Sequence, residues 1–131
     1  MIDMHAHCFP RIGRDEAFAV DRARAPWLAV EPGGERGSIM LGDEPFRPVT
    51  ASLWDPAVRV AELDAQGVAL QVVCATPVMF GYAWPAARAA DWATRMNEHV
   101  LAYCAHAPPR LKAPLMIGVS ELAAFHSVLG R

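Results

Sequence analysis

Apolar and polar residues alternate over the first stretch of the chain, where Ile2, Met4 and Ala6 interleave with Asp3, His5 and His7. A period of two belongs to a β-strand, so Asp3, His5 and His7 are expected on one face and the apolar trio on the other. Residues 8–54 then lose any simple period and are rich in Pro, Gly and Arg. Within them a short helix is expected from Asp15 to Ala25. A small hairpin is expected where Ser38–Leu41 and Pro45–Val49 flank Gly42-Asp43. Pro45 and Pro48 push the second arm to a sheet edge or an irregular strand, because each removes a ladder donor. Compact domains rarely carry a structureless loop of this length, so residues 8–54 read as a small subdomain inserted after the first strand.

From residue 55 the pattern is regular. Asp55 can cap a helix, Pro56 suits its first turn, and the apolar spacing runs through Leu63 to a stop at Gly67. Val68–Ala75 is short, apolar and β-branched, as a strand buried on both faces should be. A loop around Gly81 leads to Pro85, which opens a helix reaching about Ala105 and stopped by Pro108-Pro109. Lys112–Ile117 reads as a third strand, and Ser120 as the cap of a last helix ending at Gly130. Strand, insertion, helix, strand, helix, strand, helix is an α/β order, implying parallel strands with right-handed crossovers. It fits either a small open sheet or the start of an eight-stranded barrel. A closed barrel needs roughly 200 residues or more, so a 131-residue chain holds only part of one.

Composition narrows the function classes. Hydrophobic residues make up 53% and charged residues 20%, which describes a globular domain with a core. The net charge of −2 gives no electrostatic reason to expect nucleic acid or an anionic membrane. Three cysteines, Cys8, Cys74 and Cys104, show no paired spacing. A disulfide framework is therefore not expected, and a reducing cytoplasm fits best. No basic-then-apolar leader and no membrane-spanning apolar run stand out.

The candidate chemistry sits in the first strand. His5 and His7, one strand step apart, aim two imidazoles the same way and can offer two nitrogen ligands to one divalent ion. Asp3 lies one step deeper and suits a supporting role behind the ligands. His99 and His106 are seven positions apart on the second long helix and read as solvated or capping residues, as does His126 on the surface. Trp27, Trp54, Trp84 and Trp92 read as core or lid packing.

Several stretches resemble a known family in order and spacing. They are Ile2–Arg11, Ala25–Leu28, Gly37–Met40, Phe46–Val49, Leu53–Pro56 and Gln71–Tyr82, within a likeness that runs from Ile2 to about Lys112 and fades after Pro114. They are similar to the 2-amino-3-carboxymuconate-6-semialdehyde decarboxylases of the amidohydrolase superfamily. The resemblance implies a partial (β/α) barrel of the TIM/amidohydrolase type, about three βα units over residues 1–131, with 115–131 as a divergent tail. It implies a zinc ion, or another divalent metal, partly held by His5 and His7, and Arg47 as a holder of a substrate carboxylate. The implied activity is metal-dependent, non-oxidative decarboxylation of a small dianionic carboxylate in tryptophan/kynurenine-type catabolism, by an enzyme that is a homodimer at full length. The family's acid/base histidine, remaining metal ligands and second arginine are expected downstream, so no catalytic residue is assigned here. A truncated, inactive chain is the expectation for the isolated polypeptide. Two other readings stand beside it: a metal-dependent hydrolase of the same superfamily, and a non-catalytic fragment or interaction module exposing an unpaired strand and apolar helix faces.

Overall fold

The computed structural model describes residues 1–114 of the chain. Two sheets and three helices share one core. The first sheet is parallel, in the order β1 (Ile2–Cys8), β5 (Leu70–Ala75), β6 (Leu111–Lys112). The crossover from β1 to β5 carries a helix, α2 (Pro56–Gln66), and that from β5 to β6 carries α3 (Ala86–Ala105). This is the alternating α/β order that the sequence implies. Only Lys112 of the expected third strand lies in β6, and from residue 115 onward that strand, the last helix and the tail lie outside the described residues.

The helices form where local signals agree. The Asp55 carboxylate caps α2 by accepting from the N–H groups of Ala57 at 2.9 Å and Val58 at 3.3 Å. Gly67 ends α2 in the left-handed region, at φ 68°. A side chain is strained there and glycine is not. In α3 the buried residues Trp92, Met96, Val100 and Tyr103 recur at helical spacing and form the face laid on the sheet. Each such burial stabilises by about 1.5–3 kcal/mol.

The stretch after β1 is more regular than the sequence suggests. It holds α1 (Arg14–Asp21) and an antiparallel sheet, β2 (Pro26–Val30), β3 (Arg36–Leu41) and β4 (Glu44–Thr50), in that order. The hairpin turns at Gly42-Asp43, with Gly42 at φ 59°. β4 lies at the edge, as Pro45 and Pro48 require, and its register with β3 slips between Ile39 and Met40. Helix α1 stops earlier than Ala25 because the Asp21 carboxylate captures the N–H groups of Ala23 and Arg24, both at 3.0 Å. Ile12, Leu28 and Ile39 of this region join Phe9, Val73 and Met96 in the same buried cluster.

Trp92 and Trp54 are buried, and Trp84 packs against Trp92 with ring centroids 5.5 Å apart. The expectation that the tryptophans serve packing therefore holds for these three. Among the described residues no helix is long and apolar enough to cross a membrane.

Candidate metal centre

The carboxyl end of β1 is fixed by its neighbour. The Cys8 carbonyl accepts from both the N–H (3.0 Å) and the hydroxyl (2.8 Å) of Thr76, just past β5. His7 stands in register with Cys74, and its Nδ1 lies 3.2 Å from the Ala75 carbonyl. A carbonyl only accepts, so Nδ1 carries the hydrogen and Nε2 presents a lone pair. His5, exposed, brings its own Nε2 to 3.2 Å from His7 Nε2, donating a hydrogen bond to that lone pair, with ring centroids 4.8 Å apart. The two rings thus meet edge to face on one side of the strand, as expected of His5 and His7.

The pair fits a zinc ion. Nitrogens bound at about 2.0–2.1 Å to one tetrahedral zinc lie ~3.3 Å apart. The carbonyl behind His7 is the kind of partner that orients a metal-bound imidazole. Among the described residues, however, no group of three or more His, Cys, Asp or Glu side chains converges. The described donor set is two nitrogens, where a catalytic zinc ordinarily takes three protein ligands. Cys8 does not add to it. Its side chain is fully buried, and burial, aided by the neighbouring Cys104, pushes its thiol up to about 12. Cys74 is half-buried beside His7.

Asp3 departs from expectation. The register between β1 and β5 shifts between Asp3 and Ala6, so Asp3 pairs with Gln71 while His7 pairs with Cys74. Gln71 and Cys74 lie on opposite faces of β5, one buried and one half-buried. In-register neighbours project to the same side of a sheet, so the bulge turns Asp3 away from the histidine face. Its carboxylate accepts from Gln71 Nε2 at 2.7 Å and from the His5 backbone N–H at 3.1 Å. Those two bonds, Gln71's first, hold its carboxyl below the usual carboxylate range.

Gln71 leads to a residue that single-position reading misses. Arg59, half-buried on α2, donates Nη1 to Gln71 Oε1 at 3.0 Å and Nη2 to the His7 carbonyl at 2.6 Å. Its Nε bonds the Ser52 carbonyl at 2.9 Å and the Tyr103 hydroxyl at 2.8 Å. The available signal is the polar intrusion: an arginine between Val58 and Val60, and a glutamine inside an apolar strand.

Arg47 lies on the exposed edge strand β4, opposite Ile39, and forms no ion pair among the described residues. Among the described residues no hydrogen bond or ion pair joins it to the histidine pair. His99 bonds Glu16 at 2.8 Å, tying α3 to α1, and shares a cavity of about 300 Å³ with His106 and Trp54.

The fold and the site define an α/β chain with a two-imidazole station on its first parallel strand. That fold is shared with the crystal structure of Metarhizium anisopliae IDCase in apo form, at a TM-score of 0.58 and 17% identity, over 87% of this chain and 34% of that one. In sequence the chain is similar to 2-amino-3-carboxymuconate-6-semialdehyde decarboxylase of Dictyostelium discoideum, 29% identical over 110 residues. The matched region is 83% of this chain and 30% of the relative, so the chain spans under a third of that relative's length. That relative carries the name of the family that the motifs between Ile2 and about Lys112 resemble. No family model matches.

Proposed function

We propose that this chain is the opening portion of a metal-dependent, non-oxidative decarboxylase built on a (β/α) barrel of the amidohydrolase type. Its substrate class is a small dianionic unsaturated acid, with 2-amino-3-carboxymuconate-6-semialdehyde as the specific candidate. The observation that carries this reading is the pair of Nε2 atoms 3.2 Å apart at the carboxyl half of the first parallel strand. In folds of this kind ligands and metals gather at the carboxyl ends of the strands. The similarity to a relative named as a decarboxylase supports the reaction class.

His5 and His7 would hold the ion, His7 with its ring preset by the Ala75 carbonyl. Zinc bound there supplies a Lewis acid and an activated water at neutral pH. The remaining ligands and the acid/base group come, on this reading, from strands downstream of these 131 residues. Arg47 would take one substrate carboxylate, for which its planar, permanently charged fork is suited. A second subunit would complete the pocket, as in the homodimeric family that the sequence resembles.

Loading the chain with zinc and offering the semialdehyde tests this. Release of carbon dioxide would support the reaction class, although no turnover is expected of a chain without the downstream acid/base group. Zinc-dependent binding of the dianion that is lost in both H5A and R47A supports the reading. Zinc-dependent ester hydrolysis without either result overturns it in favour of the hydrolase reading.

A further inference from the structure

The β1–β5 ladder is interrupted where the metal-binding strand most needs support. Register pairs run at Ile2 and Asp3, then resume at Ala6, leaving Met4 and His5 outside the paired register. A side-chain chain spans this gap. It starts at Arg59 on α2, a helix fixed at one end by the Asp55 cap and at the other by Gly67. From the guanidinium one branch runs directly to the His7 carbonyl at 2.6 Å. The other runs through Gln71 (3.0 Å) and Asp3 (2.7 Å) to the His5 backbone N–H (3.1 Å). Both branches end on the backbone of a candidate ligand. Every direct partner of Arg59 among these bonds is a neutral acceptor: two carbonyls, an amide oxygen and a hydroxyl. The fork therefore supplies geometry rather than charge neutralisation, which a lysine's point donors cannot copy.

We infer that Arg59 is a positioning residue for the metal-binding strand, setting through His7 O and the Gln71–Asp3 relay the angle at which the two imidazoles project. This rests on the reading of His5 and His7 as zinc ligands. Partners of this kind behind a metal ligand are typically worth about 10–100-fold in metal affinity.

The test compares the wild-type chain with R59K, D3A and, as a remote control, D21N, which loosens the α1–α3 tie instead. Zinc affinity is read by competition titration, and the His7 tautomer by long-range proton–nitrogen correlation in the zinc-free chain. The expected result is a roughly tenfold or greater loss of affinity in R59K and D3A. A mixed His7 tautomer is expected in R59K, with neither effect in D21N. A folded R59K with wild-type affinity and a single Nδ1–H tautomer overturns the inference. Should R59K fail to fold, D3A decides by its affinity, since Asp3 is only half-buried and supports no core. Should the wild type take up no zinc, the metal reading falls, while the tautomer comparison still judges the positioning role.

Discussion

His7 is tethered and His5 is not: the His7 ring leans on the Ala75 carbonyl through Nδ1 at 3.2 Å, whereas among the described residues the His5 ring bonds only His7, at 3.2 Å between Nε2 atoms. A ligand held in place before the ion arrives loses less freedom on binding. His7 should therefore contribute more to affinity than His5. Alanine at either position should weaken zinc binding by tenfold or more, with H7A the more severe. Calorimetric titration of the two variants checks the order; equal losses would mean the tether contributes nothing.

Asp21 couples α1 to α3. One carboxylate oxygen caps the N–H groups of Ala23 and Arg24, and the other accepts from Arg88 at 2.7 Å. Burial alone would raise its carboxyl, but those bonds and the guanidinium outweigh it and hold the carboxyl below its usual range. A depressed carboxylate stabilises the fold fully above the unfolded value near 4, and loses that contribution as pH falls through the lower folded value. D21N should cost about 1 kcal/mol at pH 7, discounted because Arg88 is half-exposed. The gap to wild type should narrow as pH falls from 7 into the acid range below the unfolded value. Urea unfolding followed by circular dichroism across that range measures it.

Gly67 sits at φ 68° with open space around it: an added Cβ would meet nothing within 4 Å. Any cost of substitution there is therefore backbone strain alone. G67A should lose about 1–2 kcal/mol without altering the fold. A thermal melt of the variant against wild type reads this directly.

Gly67 also shows where sequence reasoning succeeds. Asp55, Pro56 and Gly67 act on their own neighbours, so the ends of α2 can be read residue by residue, as can the long apolar face of α3. Strand β2 escaped because Pro26–Val30 is five residues long and opens on a proline, and only pairing with β3 makes it a strand. The turning of Asp3 escaped because a bulge is a property of two strands together. The Arg59–Gln71–Asp3 relay joins positions up to 68 apart, and no local pattern announces such a contact. The histidine pair was readable because both rings belong to one strand.

The three thiols should differ in reactivity. Cys8 is fully buried and its thiol is pushed up to about 12, chiefly by burial. Burial also raises Cys104, whereas Cys74 is half-buried beside His7. Alkylation needs a reachable thiolate. Iodoacetamide at pH 8 should label Cys74 first, with Cys8 and Cys104 protected until the chain unfolds. Peptide mass spectrometry along a time course reads the order, and early labelling of Cys8 would contradict the packing around it.

Among the described residues β1 is an outer strand of the parallel sheet, and it carries exposed apolar bulk: Ile2 is 61% and Met4 69% exposed. An edge with unpaired backbone groups and exposed large apolar side chains invites pairing with another strand. Charge placed on such an edge opposes that pairing, because a second strand would have to desolvate it. The chain should therefore self-associate as its concentration rises, and M4K should move it towards monomer. Sedimentation velocity over a concentration series compares the two. A wild-type chain that stays monomeric at the highest concentration would mean that the edge of β1 is already protected.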